Sequence, residues 1–245
     1  MAFQTVFKRY ELKYLRTPDQ KKRVREAMAP YMLLDKYGRT TIRTLYYDTH
    51  TYLLIRRSIE KPIYKEKLRL RSYDRVMPDG VVFAELKKKY KSVVYKRRLA
   101  LPERTATAWL SGGDYSAVRT QIADEITYFL THYGGLHPTV FLSYEREAYY
   151  EKSGGDFRVT FDDTVLCRRD DLSLTCDVGG VPILPENRVL MELKCSGGIP
   201  LWMVSVLSKE GIYKTSFSKY GTAYKTLIFP QLHSISEEQN YGIVV

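Results

Sequence analysis

The stretch VLMELKCSGG, Val189 to Gly198, decides how this chain is read. Val189, Met191 and Leu193 alternate with Leu190, Glu192 and Lys194, the period of two expected of a strand with one wet face. The same Glu-x-Lys pairing recurs in RYELKY (Arg9 to Tyr14) and FAELKKK (Phe83 to Lys89). Side chains two apart share a strand face. Three strands therefore each set a carboxylate beside an ammonium: Glu11 with Lys13, Glu85 with Lys87, and Glu192 with Lys194.

The neighbouring strand patterns extend the theme. KEKLRLR places Lys65, Lys67, Arg69 and Arg71 on one face, with Leu68 and Leu70 opposite. Lys96 and Arg98 share a face in VYKRRL, Tyr144 and Arg146 in SYEREAY, and Arg158, Thr160 and Asp162 in FRVTFDD. A solvated antiparallel sheet alternates in the same way, and its lysines are usually only wet. Here, however, nearly every strand carries a basic residue and the acids recur at matching places, which points to a barrel lined by the charged faces. Cations lining a tunnel repel one another, so the arrangement costs stability unless an anion sits inside. Guanidinium groups bind phosphate oxygens in bidentate fashion and ammonium groups act as point charges. Several together suit a triphosphate or a longer phosphate chain. The acids Glu11, Glu85, Asp162 and Glu192 admit two readings. They are ligands for Mg2+ or Mn2+, hard ions that take oxygen donors and substrate phosphates, or they are ion pairs that neutralise the lysines. Glu192 is the leading metal candidate and Glu11 the second.

The rest of the chain frames these strands. TPDQ (Thr17 to Gln20) predicts a helix start with a capping box and a first-turn proline, the helix running to about Tyr31. RTLYYDT (Arg43 to Thr49) is strand-like and HTYLLIRRSIE after it helical. MPDG is a turn between YKEKLRLRSYDRV and VVFAELKKKY, and SVVYKRRLAL (Ser92 to Leu101) continues the meander. Helices follow in ERTATAWL and SAVRTQIADEITYFLTHY, ending at Gly134 and Gly135. Strands resume in TVFLSYEREAYY, DFRVTFDDTV and RVLMELKC, and two closing helices are expected at Leu201–Lys209 and Thr215–Leu227. Meanders with helices between them define an α+β chain with a closed or nearly closed barrel.

Composition sets bounds. The 245 residues, 44% hydrophobic and 27% charged, belong to a globular protein and not to a disordered one. A net charge of +11 favours polyanionic partners: nucleic acid, an anionic membrane surface or phosphate-rich small molecules. Three cysteines without a CxxC pair argue for a reducing compartment, and four scattered histidines against a histidine-built metal centre. The start MAFQTVFKRYELKY lacks a signal-peptide core, and LWMVSVL (Leu201 to Leu207) is too short to span a membrane. A soluble, cytoplasmic protein with no integral membrane segment is expected. The 21 tyrosines could stack bases, but core packing explains them more simply, and nucleic acid is not expected as a partner.

The ordered series RYELKY, LYYDT, KLRLRSY, FAELKKK, YKRR, YEREAY, FRVTFDD, LMELKC and SFSKYG, spanning about Phe7 to Leu227, resembles the VTC domain. That family comprises the polyphosphate polymerase domain of the vacuolar transporter chaperone complex, within the triphosphate tunnel metalloenzyme (CYTH-like) superfamily. The resemblance implies one domain over residues 1–245, its core over 7–227, folded as a closed eight-stranded antiparallel tunnel with helices around it. It implies metal-dependent transfer of the terminal phosphoryl group of ATP to inorganic polyphosphate, with Mn2+ or Mg2+ and a pyrophosphate or phosphate primer. By motif, Lys13, Arg69, Arg71, Lys87, Arg146, Arg158 and Lys219 match the catalytic cations and Glu192 the metal-binding glutamate. Lys67, Lys96, Arg98, Tyr144, Lys194 and Ser218 are expected as further substrate contacts. The hydrolytic branch opens with ExExK; here the frame holds Arg9, Glu11 and Lys13, which weakens a triphosphatase reading. Two alternatives stay open: a triphosphatase of the same fold, and a non-catalytic polyphosphate-binding module. Eukaryotic polymerase proteins also carry an SPX domain and often membrane segments, which these residues do not match, so regulation and coupling to translocation are not carried over, and a membrane partner protein is left open and unidentified.

Overall fold

A computed structural model describes residues 6–7 (backbone only), 10–91 and 93–232. Arg9 and Ser92, named in the motifs above, lie outside the described residues. Along the chain come β1 (Val6–Phe7), β2 (Tyr10–Arg16), α1 (Pro18–Met28), β3 (Met32–Asp48), α2 (Leu53–Ile59), β4 (Tyr64–Tyr73), β5 (Val81–Tyr90) and β6 (Val93–Pro102). Then follow α3 (Glu103–Leu110), α4 (Gln121–Tyr133), β7 (His137–Glu151), β8 (Arg158–Arg168), β9 (Val181–Pro182), β10 (Val189–Cys195), α5 (Leu201–Lys209) and α6 (Lys219–Ala223).

Local chemistry accounts for the helix starts. The Thr17 hydroxyl accepts from the Gln20 N–H at 3.1 Å while the Gln20 amide oxygen accepts from the Thr17 N–H at 3.2 Å, so the capping box of α1 is complete. Thr120 caps α4 and Ser218 caps α6 in the same manner, accepting from Ala123 N–H and Gly221 N–H. Two helix expectations change in extent. The segment 116–133 is a 3-10 turn at Ser116–Val118 followed by α4, and the closing helix begins only at Lys219, continuing as a π turn over Tyr224–Ile228. Thr215 instead bridges the edge of β2, its N–H donating to Lys13 O at 2.7 Å.

The class is α+β, and eight of the strands are long. They form one antiparallel sheet in the order β1-β6-β5-β4-β3-β7-β8-β10-β2, with β9 on β8. The expected closed barrel is corrected here: among the described residues no ladder joins β6 to β2, and the path ends at β1 and β2. These two end strands are neighbours in the chain. Phe7 and Tyr10 are three residues apart, a reach of at most about 11 Å, whereas nine strands laid flat would separate them by nearly 40 Å, at about 4.8 Å per strand. The sheet must therefore curl until its ends meet, with the first strand divided between them.

The two faces of the curl bury different things. On the outer face, α3, with Trp109, and α4 cover Leu45, Leu68, Leu70 and Leu86, while α1 and α5 cover Tyr14, Val159, Phe161, Met191 and Leu193. The inner face is only partly charged. Ile42, Tyr46, Val140, Leu142, Tyr144 and Val165 form an apolar floor on β3, β7 and β8, and Tyr220, Ala223, Tyr224 and Ile228 from the C-terminal helical segment pack onto it. The expectation of a tunnel lined throughout by charge is thus narrowed to a chamber beside this plug. Among the described residues no helix is long and apolar enough to cross a membrane.

Candidate functional site

Ladder register assembles the chamber. Directly opposed residues share a face. Lys67 faces Lys87 and Arg69 faces Glu85 across β4 and β5; Glu85 faces Arg98 and Lys87 faces Lys96 across β5 and β6. On the other wall Glu192 faces Lys13 and Thr160, Lys194 faces Glu11 and Arg158, and Arg146 faces Asp162. Every charged face read from the alternation among the described residues points inward.

Four carboxylates organise eight cations. Glu85, fully buried, receives Arg69 through Nε and Nη2 at 2.7 and 2.6 Å, Lys96 Nζ at 2.6 Å and Arg98 Nε at 2.6 Å. Asp162, also fully buried, takes a two-pronged contact from Arg146 at 2.6 and 2.7 Å and the Lys219 ammonium at 2.5 Å. Glu192 meets Lys194 at 3.3 Å, Lys13 at 3.5 Å, Lys219 at 3.7 Å and Arg146 at 3.9 Å. Glu11 meets Lys13 at 3.2 Å and, across the curl, Lys87 at 3.3 Å. Lys67 and Arg71 join them by other bonds. Arg71 donates to Tyr144 Oη at 3.0 Å, and the Tyr144 ring lies 4.4 Å from Lys219 Nζ and 5.1 Å from the Arg146 guanidinium. Arg158 stands apart, exposed at the start of β8 opposite Lys194.

A strap closes over the chamber. Lys13 Nζ donates to Phe217 O at 2.9 Å, Lys67 Nζ to Ser218 Oγ at 3.3 Å, and Lys219 reaches Asp162 and Glu192. Gly221 permits this turn: a Cβ there would lie 3.1 Å from Ser218 Cβ. Because β4 and β10 lie four places apart in the sheet, one short strap can touch both only if the sheet is curled.

The electrostatics follow from burial against charge. Burial pushes the carboxyls of Glu85 and Glu192 up, but the surrounding lysines and arginines outweigh it and hold both well below the usual carboxylate range. Glu11 and Asp162 are lowered for the same reason. Burial, reinforced by Lys13, Lys87 and Lys65, brings Lys67 down to about 8 against the pull of Tyr46. Burial raises the Tyr46 phenol, yet Arg69, Lys67 and Arg71 bring it down to about 8.

The donor set was expected to hold a divalent ion on Glu192 and Glu11. Their carboxylates approach one another through the Lys13 ammonium, at 3.5 and 3.2 Å, and among the described residues no three His, Cys, Asp or Glu side chains cluster as a cage. A hard ion that arrives on a phosphate substrate needs only one or two carboxylates from the protein; here both are ion-paired to lysines.

Sequence reading missed Tyr46, Asp48 and Tyr220. Tyr46 lies inward beside Arg69, its Oη accepting from Arg69 Nη1 at 3.3 Å. Its place opposite Arg69 in register was the signal, but register is not visible in a single strand.

A curled antiparallel sheet around a basic chamber, with helices outside and a C-terminal strap, defines the triphosphate tunnel class of fold. A candidate adenylate cyclase of Bacillus halodurans superposes with a TM-score of 0.56 at 13% identity, over 88% of this chain and 96% of that one. HpAC1 of Hippeastrum, a candidate adenylyl cyclase with a dominant triphosphatase activity, superposes with a TM-score of 0.50 at 13% identity, over 88% and 94%. At such identity the likeness is one of fold. Within this class the chain belongs to the VTC domain family, whose sequence profile matches residues 8–228. No curated protein matches the chain by sequence.

Proposed function

We propose that this chain is a polyphosphate polymerase that transfers the terminal phosphoryl group of ATP to a growing phosphate chain. The observation that carries the reading is the convergence of eight lysine and arginine side chains on four buried or half-buried carboxylates, in a chain of the VTC domain family.

Phosphoryl transfer asks little covalent help from protein; positioning and charge neutralisation do most of the work. Arg69, Arg98 and Lys96, fixed by Glu85, form one basic wall, and Lys13, Arg146, Lys194 and Lys219, fixed by Glu192 and Asp162, form the other. A phosphate chain between them is gripped from two sides, with Lys67, Lys87 and Arg71 along it and Arg158 at the rim. The attacking group is a terminal oxygen of the acceptor phosphate, largely ionised near neutral pH, so no protein base is required. Its new bond is to the γ-phosphorus of ATP; the bond that breaks leaves its electrons on the oxygen that departs with ADP. Preorganised cations stabilise that charge without reorganisation at the moment of reaction. Mn2+ or Mg2+, held by Glu192 and Glu11 together with phosphate oxygens, would add further neutralisation of the transferred group.

Hydrolysis is the second reading, favoured by the triphosphatase activity of the Hippeastrum fold neighbour. The two differ in stoichiometry. With ATP and Mn2+, a polymerase forms ADP without matching orthophosphate, whereas equal amounts of both products indicate that water is the acceptor.

A further inference from the structure

Lys219 needs outside help to hold its place. It is the first residue of the closing helical segment, which runs on through the π turn of Tyr224–Ile228, so it sits at a helix end with no turn before it, and the strap before it is tied to the sheet by the Thr215 bridge. A lysine side chain also loses much rotamer freedom when fixed. The next residue is anchored more firmly than any of these. Tyr220 is 1% exposed; its hydroxyl donates to Asp48 Oδ2 at 2.9 Å and lies 3.0 Å from Thr139 Oγ1. Asp48 is fully buried, and its other acceptor sites are taken by backbone N–H groups of Thr49, Leu54 and Ile55 at 2.8, 2.9 and 3.0 Å. The carboxylate is therefore held rigidly by the start of α2 and offers Tyr220 one fixed acceptor. The Tyr220 ring also stacks on Tyr46, centroids 4.5 Å apart and planes 15° apart, and the Tyr46 hydroxyl receives Arg69. One side chain thus links the strap to both the inert floor and the basic wall.

We propose that Asp48 and Tyr220 form a latch that sets Lys219 and Ser218 against the chamber, which makes Tyr220 a positioning residue for phosphate binding. This rests on the reading that the chamber binds phosphate chains. The Tyr220 hydroxyl meets Asp48 and Thr139, while the ring centroid lies 5.9 Å from Lys67 Nζ, so the latch acts through its neighbours.

Inorganic tripolyphosphate binding, measured by calorimetry on wild type, Tyr220→Phe, Lys219→Ala and the double variant, tests it without requiring turnover. Tyr220→Phe alone is expected to weaken binding about ten-fold, the scale of one lost hydrogen bond to a charged group. In the Lys219→Ala background the same change is expected to cost less than about two-fold, since the residue it positions is gone. Losses that multiply, or a Tyr220→Phe protein that binds as wild type does, overturn the latch. Should Tyr220→Phe fail to fold, Thr139→Val, which removes only the neighbouring hydroxyl, replaces it with the same criterion and a smaller expected loss. Wild type that fails to bind tripolyphosphate overturns the phosphate reading and the latch together; binding with multiplicative losses overturns the latch alone.

Discussion

Glu85 and Glu192 began as equivalent members of Glu-x-Lys strands, and their surroundings separate them. Glu85 is sealed behind Arg69, Lys96 and Arg98, and its work is to hold cations in place. Glu192 is gripped more loosely, at 3.3 to 3.9 Å, so its oxygens are less firmly committed to their cations. Glu192→Gln is therefore expected to abolish metal-dependent turnover while the protein still folds, and unchanged turnover would remove it from the metal site. Lys67 gives a pH signature. It is charged below about 8 and loses its proton above, so affinity for tripolyphosphate should fall as pH rises through that value. Lys67→Met should bind more weakly at pH 7, and the gap between the two proteins should shrink by pH 9; a constant gap would show that Lys67 does not titrate there. Which face each charged residue occupies was legible, because the alternation of Lys65, Lys67, Arg69 and Arg71 with leucines is local. Which acid each cation meets was not. The pairing of Arg69 with Glu85, or Lys87 with Glu11, depends on register and curl, which no single stretch contains.

Elements were legible where their signals are short-range. The Thr17–Gln20 capping box stands as the sequence implies, and α5 begins and ends where expected. Thr17→Ala should lower the stability of the fold by about 1 kcal/mol, a drop of roughly 2–4 °C in melting temperature for a chain of this size. Phosphate binding should be unaffected; a larger change in binding than in melting would mean that α1 shapes the chamber directly. Elements were misjudged where a long-range contact overrides the local pattern. The strand expected from Arg43 begins at Met32. Its ladder slips between Leu34 and Arg39, and Asp35 to Gly38 break the alternation that would have revealed it. The segment from Thr215 was expected to be helical, but Thr215 pairs with Lys13 and the helix starts at the Ser218 cap.

At the scale of the molecule, a net charge of +11 and an inward-facing concentration of cations place the burden of stability on a few carboxylates. Glu11, Glu85, Asp162 and Glu192 all ionise more readily folded than unfolded. Their stabilisation is complete above the ordinary carboxylate value of about 4.3 and is lost as pH falls below it. Melting temperature should hold from neutral pH to about 5 and drop steeply below about 4; a flat profile to pH 3 would show that the four acids contribute little. The curl of the sheet was anticipated from the meanders and the matched charges, whereas its division by an apolar plug was not. The plug is built from residues of the strap and helix that follow the last strand, whose docking site is set only by the finished sheet. The central claim, that the chamber extends phosphate chains, is tested most directly by incubating the purified protein with ATP and Mn2+ and resolving the products on a polyphosphate gel. Acid-labile phosphate chains appearing with ADP are the predicted result; orthophosphate with no chains, or no consumption of ATP, would contradict it.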